Sequence, residues 1–195
     1  MFTLRVLFTM TTYLIQQDQH AIRLMRDQLD DYTILAKWLT DPIVLEYYEG
    51  RDNPFPLERV YQKYAPRVQR LHATVPCFML DNDKPIGYLQ YYRLSSADCA
   101  AFELPTTAGS FGIDLFIGEA ARWNRGLGTT YVQLATRYLT GACAARHITV
   151  DPHVENLRAI HCYEKCGFQQ RKLLPQHEYH EGAYRDCWLM VYTQP

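Results

Sequence analysis

Phe111-Gly-Ile-Asp-Leu-Phe-Ile117 and Trp123-Asn-Arg-Gly-Leu-Gly-Thr129, followed by Ile148-Thr-Val-Asp-Pro152 and Asn156-Leu-Arg-Ala-Ile-His-Cys-Tyr163, decide the fold. They read as a strand, a glycine turn that opens a helix, a second strand stopped by Asp-Pro, and a second helix closed at Gly167-Phe168. Gly126 and Gly128 let the backbone approach a bound group while its N–H groups point outward at a helix N-terminus, which makes an anion site. From Ala120 to Val150 the chain carries Arg122, Arg125, Arg137 and Arg146 and no acidic residue, so a phosphate-bearing ligand fits. The loop is not a P-loop, because Gly128 is followed by Thr129-Thr130 with no Lys. Nor is it a dinucleotide fingerprint: Tyr131 stands where a small residue is needed, and no acid follows at the ribose distance. Taken alone, a Gly-x-Gly is more simply a tight turn.

The second helix raises the reading, because Asn156, Ala159 or Ile160, and Tyr163 fall on one side by the three-to-four residue spacing. With these residues the chain resembles the GNAT superfamily of acetyl-CoA-dependent N-acetyltransferases. Their phosphate loop has the form R/Q-x-x-G-x-G/A and their later helix the form N-x-x-A-x-x-x-Y. The helix match is complete at Asn156, Ala159 and Tyr163; the loop has Trp123 at the R/Q position, with Arg122 and Arg125 on either side. From about His20 to Tyr192 the chain also resembles the aminoglycoside 6'-N-acetyltransferases. The segments that carry this likeness are Lys37-Trp-Leu-Thr-Asp-Pro42, Val44-Leu-Glu-Tyr-Tyr-Glu-Gly-Arg-Asp52, Pro85-Ile-Gly-Tyr88, Gly112-Ile-Asp-Leu-Phe-Ile-Gly-Glu119, Asp151-Pro-His153 and Leu174-Pro-Gln-His-Glu-Tyr-His-Glu-Gly182.

The resemblance implies an α/β (α+β) GNAT fold: a mixed, mostly antiparallel sheet, splayed at the acetyl-CoA site and flanked by helices. One domain is expected over residues 20–195, after a leader or non-family extension over 1–19 that contains a second methionine, Met10. Acetyl-CoA is the implied co-substrate, held by backbone near Phe116 and Ile117, by Arg125, Gly126, Leu127, Gly128 and Thr129, and by Asn156, Ala159 and Tyr163. Glu46, Tyr48 and Glu49 are implied as one wall of the aminoglycoside cleft, although a solvated helix face explains them equally. Tyr163 is the implied proton donor to the departing thiolate, or else packs against the cofactor.

The alternation of Phe111, Ile113, Leu115 and Ile117 against Gly112, Asp114 and Phe116 puts an acid in the middle of an apolar strand, which is costly without a partner. Asp114 is therefore the candidate catalytic base and amine-binding residue, the alternative being a structural salt bridge. A carboxylate with a pKa of about 4 is a poor base for an ammonium, so burial should raise it or a water should relay the proton. Asp151, where the second strand emerges, and Glu178 are further candidate substrate acids, though Asp before Pro is also a common stop signal.

Bulk properties agree. With 195 residues, 48% apolar and 21% charged, and a net charge of -1, the chain suits one globular domain. No basic stripe with interleaved aromatics suggests nucleic acid, and no run is long enough to span a membrane. Asp41 to Glu58 holds Asp41, Glu46, Glu49, Asp52 and Glu58 against Arg51 alone, while the glycine-loop region is purely basic. That polarity suits an anionic cofactor at one end of a cleft and a polycation at the other. Six cysteines without metal spacing read as reduced thiols of a cytoplasmic protein, and His177-Glu-Tyr-His180 is one residue short of the zinc-protease pattern, so no metal is expected.

The remaining elements are a strand at 21–25, a helix at 29–39 capped by Asp30 or Asp31, a short helix from Pro42, and a helix at 57–71 interrupted or kinked at Pro66. A hairpin at 77–80 and 85–93 turns at Asn82-Asp83, a long loop covers 95–110, Gly141 ends the helix begun at Gly126, and a strand pair lies at 169–174 and 186–192. Rival readings are a GNAT enzyme for another amine, such as a siderophore precursor or a polyamine, and a non-catalytic acyl-CoA sensor.

Overall fold

The computed structural model describes residues 12–194; residues 1–11 of the expected leader lie outside the described residues. The elements are β1 (Tyr13–Gln17), β2 (His20–Leu24), α1 (Leu29–Trp38), α2 (Pro42–Leu45), α3 (Leu57–Val68), β3 (Val75–Asp81), β4 (Lys84–Arg93), α4 (Ser96–Ala101), β5 (Ser110–Ile117), α5 (Leu127–Ala142), β6 (His147–Val150), α6 (Leu157–Lys165), β7 (Gln169–His180) and β8 (Ala183–Thr193). The eight strands form one sheet in the order β1-β2-β3-β4-β5-β6-β8-β7. Every neighbouring pair is antiparallel except β5 and β6.

The expected splay lies at that parallel pair. Its register runs from Ser110↔His147 to Gly112↔Thr149 and stops, whereas β5 stays paired with β4 as far as Ile117↔Gly87. The split follows from sequence: β6 ends at Val150, and Asp151-Pro152 supplies no further backbone donor at the proline. Residues Ile113 to Ile117 thus keep one backbone edge open.

Helices cover both faces. On one, α1 and α3 bury Leu35, Trp38, Val60 and Tyr64 against Phe78, Tyr88 and Phe116. Trp38 meets Phe78 and Phe116 edge-on at 5.6 and 6.2 Å, and it lies so close to Gly118 that a Cβ there would stand 2.2 Å from the indole. On the other face, α5 and α6 bury Val132, Leu139, Ile160 and Tyr163 against Phe111, Ile113, Ile148 and Met190. Each such large side chain stabilises by about 1.5–3 kcal/mol. Asp114 and Phe116 point to the first face while Ile113 and Leu115 point to the second, as the alternation requires.

Within the stretch expected as a leader or non-family extension, Tyr13–Gln17 pairs with β2 through Ile15↔Ile22 and so belongs to the sheet. Several other expectations are corrected. Neither Asp30 nor Asp31 caps α1; the cap position is Gln28, and Asp31 turns inward to accept from Arg23 and Arg26. Pro66 sits in the last turn of α3 without ending it. The loop over 95–110 contains α4, begun by a reciprocal cap in which the Ser95 hydroxyl accepts from the Asp98 N–H and the Asp98 carboxylate accepts from the Ser95 N–H. Gly141 lies inside α5, whose C-cap is Cys143. The last strand pair extends to a hairpin turning at Glu181-Gly182, both at positive φ.

Candidate active site

A cleft of about 760 Å³ opens along the free edge of β5, between the start of α5, the side of α6 and the segment after α2. At its basic end, Gly126 holds the N-cap position of α5 with φ 80, a conformation natural to glycine, and no side chain caps the helix. The first-turn N–H groups of this 16-residue helix therefore lack a side-chain acceptor, and Leu127, Gly128 and Thr129 line the cleft. Gly128 fits because α6 packs on it: a Cβ there would lie 3.2 Å from Cys162 Sγ. The cradle suits phosphate oxygens on grounds of backbone donors and helix dipole alone.

The loop side chains are distributed differently from the sequence reading. Arg125 is exposed and outside the cleft lining. Arg122 lines the cleft, but its guanidinium is paired with Asp81. Trp123 donates its indole N–H to the Ile117 carbonyl at 2.8 Å, tying the loop to the end of β5. On α6, the Asn156 side chain accepts from the Ala159 N–H at 3.2 Å and so caps its own helix. Tyr163 is 9% exposed and lines the cleft; burial, and then the nearby Cys162 and Asp114, raise its phenol well above the ordinary value, so it keeps its proton.

At the acidic end, Asp114 stands opposite Gln90 in the β4–β5 register and accepts from the Gln90 amide. Gln90 Oε1 accepts in turn from Arg67 and from the Tyr88 hydroxyl, each at 2.9 Å. Because the Arg67 guanidinium can only donate, the orientation of the Gln90 amide is fixed with its N–H toward Asp114. Burial raises the Asp114 carboxyl to about 6 against the lowering effect of the Gln90 donor; Asp151 and Glu178 add to the rise, and Arg67 opposes it. The partner foreseen for Asp114 as a salt bridge is thus an amide, and Arg67 acts through it. Gln90 and Arg67 escaped the sequence reading, and His177 entered it only in a rejected metal pattern; the signal for Gln90 was a polar residue inside the run from Ile86 to Tyr92.

Asp151 and Glu178 line the same cleft, and each has a histidine partner. His177 Nε2 lies 3.1 Å from Asp151, which raises the imidazole pKa, and His153 Nε2 lies 2.8 Å from Glu178. His153, Glu178 and Cys187 place possible metal donors within 4.8 Å of one another, but the His153–Glu178 hydrogen bond already satisfies two of them. Tyr48 lines the cleft with its ring 4.6 Å from that of Phe116, and Glu49 lines it while accepting from Lys63. Glu46 does not: its side chain is exposed outside the lining, and its carbonyl accepts from His180.

A parallel pair opened at one strand, a helix N-terminus with free donors at one end and a partly buried carboxylate at the other define an acyl-CoA-dependent transferase site. The chain belongs to the acetyltransferase (GNAT) domain family, which matches residues 27–175. It is 32% identical to the aminoglycoside N(6')-acetyltransferase type 1 of Klebsiella pneumoniae over 154 residues, which span 79% of this chain and 76% of that one. The structure of AAC(6')-Ib in complex with ribostamycin and coenzyme A superimposes with a TM-score of 0.74 at 31% identity, covering 91% of this chain and 94% of that one. The complex of AAC(6')-Ib with paromomycin and acetyl-CoA gives a TM-score of 0.73 at 29% identity, covering 91% and 94%. The fold is therefore the GNAT fold, and the protein is an acetyltransferase.

Proposed function

We propose that the protein transfers the acetyl group of acetyl-CoA directly to the 6'-amine of aminoglycoside antibiotics, acting in the cytoplasm and conferring resistance. The observation that carries this reading is the placement of Asp114: a carboxylate raised to about 6, on the opened strand edge, within one cleft that also holds the uncapped start of α5. Asp151 and Glu178 add negative charge beside Asp114, which suits a ligand bearing several ammonium groups; the Glu49 carboxylate is already paired with Lys63. The 32% identity to an aminoglycoside N(6')-acetyltransferase supports the drug class and the 6' position.

Acetyl-CoA supplies an activated thioester. The donors of Leu127, Gly128 and Thr129 bind its phosphates, and the open backbone edge at Leu115 and the Ile117 N–H orients the arm that ends in the thioester, the Phe116 N–H and C=O being turned to β4. Asp114 binds the 6'-ammonium and takes its proton, directly or through one water, while Gln90 and Arg67 hold the carboxylate in place. Tyr163, kept protonated by burial, stands ready to give its proton to the leaving sulfur. A thiol with a pKa of about 8.5 leaves readily, so that donation contributes little. Juxtaposing amine and thioester contributes most, on the order of 7 to 11 kcal/mol for well-oriented reactants.

The test is thiol release from acetyl-CoA with neomycin and with paromomycin, which differ by an amine versus a hydroxyl at the 6' carbon. Turnover with neomycin alone is expected. Equal turnover with both discards the 6' assignment, and none with either favours another small amine as acceptor.

A further inference from the structure

Trp123 stands at the R/Q position of the phosphate-loop pattern that the chain otherwise resembles, and the two arginines beside it do not compensate. Arg122 is paired with Asp81, and Arg125 is outside the cleft lining. A cation from another element occupies the corner instead. The guanidinium of Arg158, on the first turn of α6, lies 4.2 Å from the centre of the Trp123 ring and 4.7 Å from that of Tyr47. The two rings meet at 5.8 Å and 81°, so they form an angled seat, and the Trp123 indole is itself locked by its bond to the Ile117 carbonyl. Arg158 lines the same cleft as Gly126 and Gly128, and among the described residues no carboxylate lies within ion-pair distance of it.

We infer that Arg158 is a side-chain cation that meets the phosphates of the CoA moiety in this protein, with Trp123 and Tyr47 as the aromatic seat that holds it. This rests on the acetyl-CoA reading above. A guanidinium held by aromatic rings instead of a carboxylate keeps N–H groups available, and its planar fork matches phosphate oxygens. Contact with the two rings also restricts the long side chain before the ligand arrives, so less ordering remains to be lost on binding. The loop thus supplies an aromatic seat, and the positive charge comes from α6.

The experiment is calorimetric titration of CoA alone, which needs no acceptor amine, into wild-type protein and the Arg158→Ala, Arg158→Lys, Tyr47→Ala and Arg125→Ala variants at low and high salt. Loss of one charge-assisted contact predicts that Arg158→Ala binds CoA about ten-fold more weakly or worse, with a shallower salt dependence. Arg158→Lys should recover part of the loss, and Tyr47→Ala should fall between. Repeating the titration with 3'-dephospho-CoA locates the contact: a penalty that persists assigns Arg158 to the pyrophosphate, and one that disappears assigns it to the 3'-phosphate. Wild-type affinity in Arg158→Ala, or a larger loss in Arg125→Ala, overturns the assignment alone. Failure of the wild-type protein to bind CoA overturns the cofactor reading with it.

Discussion

Gln90 donates its side-chain N–H to Asp114 from the directly opposed position on the neighbouring strand, and its own oxygen is held by Arg67 and Tyr88. The amide therefore transmits some of the Arg67 charge to the carboxylate without bringing a cation into contact with it. A direct Arg partner would hold Asp114 low and unbasic, and no partner at all would let burial push it higher.

This sets the acid limb of the pH profile. Asp114 must be ionised to accept a proton, so kcat/KM should rise through about pH 6 and level off above it. Gln90→Met removes the donor that lowers the carboxyl, so the limb should move to higher pH. A limb that stays in place when Gln90 is replaced would show that another group titrates there.

Asp114→Asn separates catalysis from stability. Loss of the base should reduce kcat by roughly 10²- to 10⁴-fold. Stability should change in the opposite sense: the folded carboxyl is raised above its unfolded value near 3.8, so wild-type stability falls as pH rises from there through about 6. The Asn variant should melt higher than wild type at neutral pH, and the difference should close below about pH 4, where both states are protonated. Equal melting temperatures at neutral pH count against the burial account of the shift.

The inward turn of Asp31 gives a prediction of the opposite kind. Its carboxylate is fully buried and accepts from Arg23 at 2.6 Å and from Arg26 at 2.9 Å, while Arg23 is itself 4% exposed. Hydrogen bonds from the two arginines outweigh burial and lower its pKa, so its contribution is present above the unfolded value and lost as pH falls below it. Asp31→Ala leaves the Arg23 charge buried without its partner, a defect that costs about 3 to 5 kcal/mol. Urea unfolding at neutral pH measures it, and a loss under 1 kcal/mol, the ordinary size for a surface pair, would mean that water reaches Arg23.

What the chain disclosed in advance was local chemistry with a fixed geometric consequence. The Gly126-x-Gly128 turn had to open a helix, β5 had to present Asp114 opposite Ile113 and Leu115, and the spacing of Asn156, Ala159 and Tyr163 had to share a helix side. The Asn82-Asp83 turn, with both residues at positive φ, was equally legible. The rest depended on contacts distant in sequence. Nothing near Arg125 says that it points outward, or that Arg158 on another helix sits over Trp123. Glu46 and Glu49 are three residues apart, but only Glu49 turns to the cleft. The outer half of the β7–β8 hairpin lacks an apolar alternation and is held by cross-strand pairing and by Arg51 donating to Glu181, a partner 130 positions away. α4 did carry a local signal, Ser95 followed three residues later by Asp98, hidden in a stretch whose composition reads as loop.

Cys162 offers a test of the cradle that needs no catalysis. It is half-buried, lines the cleft, lies 3.6 Å from the Thr129 hydroxyl and packs against Gly128. The neighbouring Cys166, and then the Thr129 hydroxyl, favour its thiolate against burial and lower its pKa below the ordinary thiol range. Cys77, Cys99 and Cys187 are buried, and burial pushes Cys77 and Cys187 up to about 12; Cys166, whose thiol donates to the Thr129 carbonyl, is raised by its neighbour Cys162 and by burial. Cys162 should therefore alkylate first with iodoacetamide at about pH 7.5, since the thiolate is the reacting form. A ligand seated on the N–H groups of Gly128 and Thr129 covers the approach to its sulfur, so acetyl-CoA, whose own sulfur is blocked as the thioester, should slow the labelling and free adenine should not. Peptide mapping after partial modification reads both points. First labelling at Cys143 would contradict the account of the Cys162 thiolate, and labelling of Cys162 that acetyl-CoA leaves unchanged would place the phosphates away from the start of α5.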